Sequence, residues 1–518
     1  MEHYTFQNYI FTFFNNQFKP LTVKQKKYAL VTVIIVCLIL LFFVGTLETG
    51  VIVDPTRRLS RILPVSHVFL TSAYYYPISS SLGANAIALN MVVDSVNFNV
   101  DHATYSMVGS NGTFQKLTVA ASKVEGDATC RYKTVMASTN TLPNLKKLEM
   151  ESHGLKVQIP FKMARYTAPK PVIICISPQF VAEQWQVFLM NVHVANRFGA
   201  HLHVYITSMI ESYFELMKEY ERKGYLTLDY WLRMKFSRTE TPYFEPNGNV
   251  EWRNQAGAEI DCLLQYKEAV DYIAFFDIDD ILFPASYPTY LEEFNAEWTL
   301  QPNATSLYYG RREHEYIKAQ SISEFNLTEI VDNLRSSPTI KQGKTVVKPS
   351  MYNHTWIQYN FHKDPAYRHN VSFPHLVHLQ LPIQKNEETN STQPLSMEFG
   401  VLNETIRLDD IRMIEEDIQR MRNLPNVIDI SKRLPSKDFY LPIVFKCYYD
   451  SFYGFVYDHR QRSNQQQCPN ADLCELPQRE DYKCIHSDAE YYSGPHMKPF
   501  TFHYTRNSFW TKDIGCYQ

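Results

Sequence analysis

Along residues 170–277, mostly apolar runs alternate with segments in which apolar residues recur every three to four positions. The mostly apolar runs predict strands at 171–177, 201–208, 225–231 and 272–277, of which the first is continuous. The periodic segments between them predict helices, the last of which extends from about Asn254 to Val270. Strands that are apolar on both faces need helices on both faces, so this pattern predicts a doubly wound α/β sheet.

The preceding region, residues 71–165, shows a different pattern of short alternating stretches separated by turn residues. Asn111 and Gly112 form the strongest turn signal, because this pair favours a two-residue hairpin. The pattern predicts a small β-rich, sandwich-like domain. Its sequence shows no cluster of acid, base and nucleophile that would indicate a site.

One segment, residues 28–47, is apolar and has no formal charge. A helix of about 20 residues spans about 30 Å, which is the thickness of the hydrocarbon layer of a membrane. A cleaved signal peptide is the alternative, but the preceding segment is long and the apolar run exceeds the usual signal-peptide core. We therefore expect a cytosolic tail (1–27), a signal-anchor helix and a stem (48–70), with the lysines before the span favouring an inner N-terminus.

Glycosylation sequons and cysteines favour an oxidising lumen for the rest of the chain. The N-x-S/T sequons all follow the apolar span, at Asn111, Asn303, Asn326, Asn353, Asn370, Asn390 and Asn403. All cysteines except Cys37 also follow it, and their even number is compatible with disulfide bonds. Cys175 and Cys262 lie in apolar elements and are interpreted as buried thiols. The C-terminal region 451–518 holds clustered cysteines, for which a zinc knuckle is the alternative to disulfides, although no C-x-x-C pair is present.

The composition bears on size and partners. The chain has 518 residues, of which 45% are hydrophobic, enough for two or three domains with a large core. Its net charge is −3, so the composition gives no reason to expect nucleic acid as a partner.

The strongest candidate for chemistry is an acidic cluster in the segment AFFDIDDILFP, which occupies residues 274–284. Asp277, Asp279 and Asp280 directly follow the fourth predicted strand, and doubly wound sheets bind ligands at the carboxyl ends of their strands. A divalent cation such as Mn²⁺ or Mg²⁺ would relieve the repulsion between these carboxylates and could hold a diphosphate. The alternative is a solvated turn or a helix cap.

Two enzyme chemistries fit an apolar strand that ends in Asp-x-Asp. One is sugar transfer from a nucleotide-sugar donor, and the other is a phosphatase of the haloacid dehalogenase type with a nucleophilic Asp277. The phosphatase pattern requires Thr or Val where this chain has Ile281. The phosphatase motif also normally lies near the start of its domain, whereas three predicted strands precede Asp277 here. Sugar transfer is therefore favoured, and a lumenal, anchored chain also suits it better.

The segment from Asn254 to Pro284 resembles the centre of glycosyltransferase family 92, formerly a domain of unknown function abundant in nematodes. Three other segments share the resemblance: PVIICISPQFVAEQWQVFLMNVHVANRFGAHLHVYI, GKTVVKP and CPNADLCELP. The resemblance indicates a catalytic domain at about 166–450. It implies a GT-A fold and a single-pass type II Golgi membrane enzyme. It further implies Mn²⁺ dependence and a UDP-sugar donor, and UDP-galactose is the best-known donor of the family. It also implies inverting transfer to an N-glycan fucose or galactose.

The resemblance implies roles for individual residues of the acidic segment. Asp277 and Asp279 match the family's Asp-x-Asp pair, of which one or both would hold the metal, and Asp277 would also face the donor ribose. Asp280 stands where a third acid is common and would orient other groups rather than ligate the metal. Arg253 and Asn254, followed by Gln255, would approach the donor, unless they are polar residues of a helix start.

Later segments supply further candidates. His378, in PHLVHLQLP, matches a family histidine that acts as a further metal ligand, although the residues after it depart from the family's pattern, and a hydrogen-bonded core histidine is the alternative. Glu313 and Glu315 are candidates for the base that takes the proton of the acceptor hydroxyl. Three basic residues could contact phosphate or remain surface charges: Arg311, Arg312 and Lys348. A catalytically silent, anchored glycan-binding protein on the same scaffold remains the alternative function.

Overall fold

The computed structural model describes residues 66–516 except for short gaps. These gaps are 97–98, 101–102, 125–128, 238–244, 358–366, 381–398, 449, 451–467, 471, 473, 478 and 498. The expected anchor at 28–47, the tail, most of the stem and the sequon at Asn390 lie outside the described residues. Within the described ranges, no helix has the length and apolar content needed to span a membrane.

The secondary structure alternates between strand-rich and helix-rich regions. The strands are β1 (Ser66–Tyr76), β2 (Ala86–Asp94), β3 (Thr104–Ser110), β4 (Gln115–Val124), β5 (Tyr132–Asn140), β6 (Lys147–Ser152), β7 (Leu155–Gln158), β8 (Lys162–Met163), β9 (Val172–Gln179), β10 (Ala200–Ile206), β11 (Ser208–Ile210), β12 (Leu226–Tyr230), β13 (Tyr272–Phe276), β14 (Asp280–Leu282), β15 (Ser306–Glu315), β16 (Arg335–Val347), β17 (Arg368–Gln380), β18 (Lys483–Met497) and β19 (Phe500–Ile514). The α-helices are α1 (Trp185–Arg197), α2 (Glu211–Arg222), α3 (Gln255–Tyr266), α4 (Tyr290–Leu300), α5 (Leu327–Asp332), α6 (Leu408–Arg422), α7 (Pro425–Ser431) and α8 (Tyr440–Tyr448).

The predicted α/β region forms a sheet with the order β12-β10-β9-β13-β16-β15-β17-β14, which we call the mixed sheet. Its first four strands are parallel, as predicted, and their side chains alternate between two cores. Ile174 packs with α1 and α2 on one face, whereas Ile173 packs with α3 on the other. The later strands include antiparallel pairs, so the sheet is doubly wound only in its first half.

The remaining strands form one continuous sheet with the order β11-β18-β19-β1-β2-β5-β4-β3-β6-β7, which we call the large sheet. The predicted β-rich domain at 71–165 contributes most of it, but β1 begins at Ser66, inside the predicted stem. The region predicted as a separate C-terminal piece, 451–518, contributes β18 and β19, and β19 pairs in parallel with β1. The predicted sandwich is therefore a single sheet, which strands distant in sequence complete. The sequence did not predict this arrangement, because such pairing leaves no local pattern.

Helix α3 lies between the two sheets and joins their cores. Its residues Ala258 and Cys262 pack with the mixed sheet. Its residues Ile260 and Leu264 pack with Tyr74 and other residues of the large sheet. The helix that leads to the acidic segment is therefore held from both sides.

Eight cysteines form four disulfide bonds. The pairs are Cys130–Cys468, Cys175–Cys262, Cys447–Cys474 and Cys484–Cys516. The interpretation of Cys175 and Cys262 as buried thiols was wrong: both are buried, and they link β9 to α3. The clustered C-terminal cysteines are also paired, so they are not available for a zinc knuckle.

Candidate active site

The acidic segment forms the tight connection between β13 and β14. β13 ends at Phe276, and the backbone N–H of Asp280 donates to the carbonyl of Asp277 at 3.1 Å, which reverses the chain. β14 then pairs antiparallel with β17, and this pairing places Asp280 opposite His378. The three carboxylates therefore lie at the carboxyl edge of the parallel strands, as the sequence predicts.

Asp277 is held by donors from three different elements. Its Oδ1 accepts from the Ser177 hydroxyl at 2.7 Å and from the Gln255 amide at 3.2 Å. Its Oδ2 lies 2.6 Å from the ammonium of Lys344, which is itself buried and lies 3.9 Å from Asp280. Asp277 is therefore neutralised and oriented by the protein.

The groups that could hold a metal are Asp279, Asp280 and His378, whose candidate ligand atoms lie within 4.8 Å of one another. His378 Nδ1 lies 2.8 Å from Asp280 and 3.7 Å from Asp279. Two carboxylates and an imidazole form a donor set that suits Mn²⁺, so these residues fit the expected cofactor. The set differs from the expected Asp277, Asp279 and His378, because Lys344 already neutralises Asp277 and the pairing of β14 with β17 turns Asp280 towards the histidine.

The three groups have distinct electrostatic states. Burial raises the pKa of Asp279 to about 6, against the opposing effect of the His378 charge. Burial would also raise the pKa of Asp280, but the hydrogen bond and charge of His378, with the charge of Lys344, lower it strongly. Burial lowers the pKa of His378, but the charge of Asp279 and the hydrogen bond to Asp280 outweigh it and raise the pKa to about 9. Without a metal, His378 therefore serves as the counterion of both carboxylates.

The structure places the two candidate bases differently. Glu313, on β15, faces His378, and its Oε2 lies 3.5 Å from Nε2 of the histidine. Its Oε1 lies 3.5 Å from both Arg311 and Lys341. Glu315 does not join this group, because its carboxylate faces Arg335 at 3.8 Å near the end of the strand. Only Glu313 therefore lies beside the candidate metal ligands.

Arg253 and Asn254 are buried and make contacts within the protein. Arg253 pairs with Asp472 at 3.1 Å, and its guanidinium lies 4.0 Å from the ring centroid of Phe180. Asn254 accepts a hydrogen bond from Thr134 of the large sheet at 2.8 Å. Both have left-handed backbone angles, with φ of 56° and 60°. The next residue, Gln255, is the one that reaches Asp277.

Lys344, Ser177 and Glu259 are site residues that the sequence analysis did not identify. Lys344 lies in the segment GKTVVKP, where Lys348 was considered instead. Lys348 lies over the rings of Tyr272 and Trp298, away from the carboxylates. Lys344 could have been found as the charged residue at the start of an apolar run, since such a residue needs a buried partner.

Glu259 is a buried acid behind the site. Its Oε1 accepts from Gln255 at 3.2 Å, so Gln255 bridges Glu259 and Asp277. Burial raises the pKa of Glu259 to about 8, although the charge of Lys344 opposes the shift. Two other side chains lie outside the candidate metal ligands: Arg312 pairs with Glu404 at 2.6 Å, and His375, also in the segment PHLVHLQLP, lies 3.6 Å from the same acid.

Comparison with known proteins gives one family over most of the chain. The sequence profile of glycosyltransferase family 92 matches residues 170–422. Glycosyltransferase family 92 protein ZK381.2 of Caenorhabditis elegans is 59% identical over 471 residues, which cover 91% of this chain and 93% of that protein. Glycosyltransferase family 92 protein F55C10.4 of the same organism is 40% identical over 475 residues, which cover 88% and 91%.

The solved structures that match are more distant. TarS 1–349 of S. aureus in complex with UDP-GlcNAc is 13% identical, has a TM-score of 0.25 and covers 57% of this chain and 77% of that one. The galactosyltransferase LgtC in complex with donor and acceptor sugar analogs is 11% identical, has a TM-score of 0.18 and covers 35% and 59%. We base no conclusion on these two, because their TM-scores lie below 0.5.

Proposed function

This chain belongs to glycosyltransferase family 92, and from that membership we propose that it transfers galactose from UDP-galactose to a glycan acceptor, with inversion. Membership makes the chain a glycosyltransferase and overturns the phosphatase alternative. The observation that carries the finer proposal is the convergence of Asp279, Asp280 and His378 at the carboxyl edge of the parallel strands. Such a site is suited to a nucleotide-sugar diphosphate.

We propose that Asp279, Asp280 and His378 hold Mn²⁺ or Mg²⁺. When bound, the ion supplies positive charge to the diphosphate that leaves. Asp279 keeps 30% of its side chain exposed, whereas Asp280 is fully buried, so Asp279 offers the more accessible oxygen. Asp277 is already fixed by Ser177 and Lys344, which suits it to accept hydrogen bonds from the donor ribose.

Glu313 is the proposed base. In the transfer, the bond between C1 of galactose and the diphosphate oxygen breaks, and a bond between C1 and the acceptor oxygen forms. The acceptor proton passes to the Glu313 carboxylate, and UDP leaves. Arg311 and Lys341 lie at 3.5 Å from this carboxylate and orient it. Inversion requires one such base, so Glu315 has no role in this scheme.

The proposed setting is the Golgi lumen, with a GT-A-like catalytic domain anchored by residues 28–47 as a single-pass type II protein. The proposal is supported by the apolar character of that segment and by the sequons that follow it. Four disulfide bonds agree with an oxidising compartment. The acceptor in this setting is an N-glycan that carries fucose or galactose.

A second candidate function is a silent glycan-binding protein, and the position of Lys344 favours it. This buried ammonium lies 2.6 Å from Asp277 and 3.9 Å from Asp280, so it neutralises part of the acidic cluster without a metal. A site that is already neutralised could persist after catalysis is lost. The two functions differ in whether the protein binds a UDP-sugar in a metal-dependent way.

Titration of UDP-galactose against the full-length protein in detergent, with and without Mn²⁺, tests the proposal. We expect Mn²⁺-dependent binding that weakens at least tenfold in Asp279→Asn and Asp277→Asn, because each loses a charged oxygen at the site. Asp429→Asn is the matched control, since Asp429 forms an exposed pair with Lys432. Absent or metal-independent binding by folded wild-type protein would overturn the proposal in favour of the silent binder.

A further inference from the structure

A cavity of about 430 Å³ lies between the two sheets, and we call it the intersheet cavity. One wall comes from the large sheet, through 69–73 of β1 and 503–508 of β19. The opposite wall comes from the mixed sheet, through the end of β12 and the segment to Lys235. Its volume falls within the range of small-molecule sites, which is about 300–1,000 Å³.

The intersheet cavity is lined by the end of β12, which lies at the same edge of the mixed sheet as the acidic cluster. β12 and β13 run parallel, and β12 lies three strands from β13 in the sheet order. At about 4.8 Å per strand, the end of β12 lies on the order of 14 Å from the end of β13. Asn254 lines the cavity, and the adjacent Gln255 donates to Asp277, so α3 begins between the intersheet cavity and the acidic cluster.

The lining combines aromatic rings with hydrogen-bonding groups of both kinds. Phe161, Tyr230 and Tyr504 line the cavity and are half-buried, so part of each side chain is accessible. Asp229 lies in the same lining and is half-buried, so its carboxylate offers acceptor oxygens. Sugar rings present apolar C–H faces and hydroxyls that both donate and accept, and such a lining matches them.

Two of the four Lys and Arg side chains of the lining are already paired. Arg233 pairs with Asp472 at 2.8 Å, and Lys235 pairs with Asp488 at 3.1 Å. The carboxylate of Asp229 also lies in the wall and would repel an anion. The other two basic side chains, Lys162 and Arg506, lie at exposed positions, where they can donate to the hydroxyls of a polyhydroxylated ligand.

We propose that the intersheet cavity binds sugar units of the acceptor glycan that lie away from the hydroxyl that receives galactose. The proposal rests on the proposed function for the identity of the acceptor. A branched or extended glycan would then be held at two places, with its reacting end at Glu313 and a distant unit between the sheets. Specificity for the acceptor would lie partly in the large sheet, outside the region that the family profile covers.

Binding of a fluorescent, galactose-terminated biantennary N-glycan to the full-length protein, measured by fluorescence anisotropy, tests this proposal. Thr505→Trp places a large ring in the cavity, and Lys162→Met removes a polar group from an exposed position in its lining. Thr501→Trp is the matched control, because Thr501 is half-buried on the same strand outside the lining. Thermal unfolding of each variant checks that it is folded.

We expect glycan binding at least tenfold weaker in Thr505→Trp and several-fold weaker in Lys162→Met, with UDP-galactose binding unchanged in both. Thr501→Trp should bind the glycan like the wild type. Unchanged glycan binding in both lining variants, or no glycan binding by the wild type, would overturn the proposal. Weaker UDP-galactose binding in Thr505→Trp would also overturn it, by assigning the cavity to the nucleotide. Failure of the proposed function differs from these results, since UDP-galactose would then not bind the wild type.

Discussion

The carboxylates of the candidate active site differ in what neutralises them. Lys344 contacts Asp277 at 2.6 Å, and His378 contacts Asp280 at 2.8 Å. Asp279 has a longer contact, at 3.7 Å from His378, and it is the most exposed of the three. A short Asp-x-Asp-Asp sequence therefore produces three carboxylates with different roles, because Asp277 faces Lys344 of β16 whereas Asp280 and, less closely, Asp279 face His378 of β17.

Lys344→Met should destabilise the protein by about 3 kcal/mol, because it removes the buried ammonium and leaves Asp277 without its counterion. Urea unfolding of the wild type and variant at pH 7 measures the change. Lys432→Met is the control: Lys432 and Asp429 are largely exposed, and such a pair contributes less than about 1 kcal/mol. Equal effects of the two substitutions would contradict the role given to Lys344.

At the scale of elements, the sequence predicted the strands and helices that leave a local pattern of apolar residues. The strands β9, β10, β12 and β13 were found because each is an apolar run, and α3 was found from its spacing. The acidic segment was placed correctly because it directly follows β13. Lys344 was missed because its position depends on the antiparallel register of β16, in which Thr345 pairs with Phe275.

The candidate metal site contains Asp280 where the sequence analysis expected Asp277, and this difference also arises from strand register. The sequence shows that three acids are adjacent, but not which strand pairs with β14. The pairing with β17 brings His378 opposite Asp280. His378 itself was found from the family resemblance, whereas its partner among the acids depends on this register.

The start of α1 and the start of α8 are joined by Glu183, a buried acid. Its Oε1 accepts from the backbone N–H of Leu441 at 2.8 Å. Burial raises its pKa to about 7, against the lowering effect of that hydrogen bond. Its folded pKa therefore lies above its unfolded value, so its contribution to stability is present below about pH 4.5 and is lost as the pH rises to 7.

Glu183→Gln should remove this pH dependence. The stability of the wild type relative to the variant should fall by about 3 kcal/mol between pH 4.5 and pH 8. Urea unfolding of both proteins at each pH measures the difference between their free energies of unfolding. The contributions of the other titrating groups are the same in both proteins and cancel in this difference. Glu480→Gln, at an exposed position, is the control. A difference that stays constant with pH would contradict the assignment.

At the scale of the whole molecule, the two sheets hold α3 between them, and the C-terminal hairpin of β18 and β19 completes the large sheet. β19 pairs with β1, and β18 pairs with β11, which follows the mixed-sheet strand β10. Phe500 and Phe502 of β19 belong to the same buried core as Val68 and Leu89. The chain segment after residue 482 is therefore part of the structural core, and not an appendage.

A chain that ends at residue 482 should fail to fold, because β1 loses its partner and the core of the large sheet is opened. The amount of folded protein recovered after expression, with limited proteolysis, measures this outcome. The double variant Cys484→Ser, Cys516→Ser separates the strands from their disulfide. It should fold, with stability lower by about 3 kcal/mol. A soluble, protease-resistant truncated chain would contradict the prediction.

The pairing of β1 with β19 also has a consequence for synthesis of the chain. Ser66 pairs with Phe500, so one strand leaves the ribosome well before its partner exists. At about 5–20 residues per second, the wait is roughly 20–90 s. The strands of the α/β region, with β9, β10, β12 and β13 close together in sequence, can assemble during this interval. The large sheet, in contrast, is completed only once β19 has been translated, and until then the edge of β1 is open to chaperones and to other nascent chains.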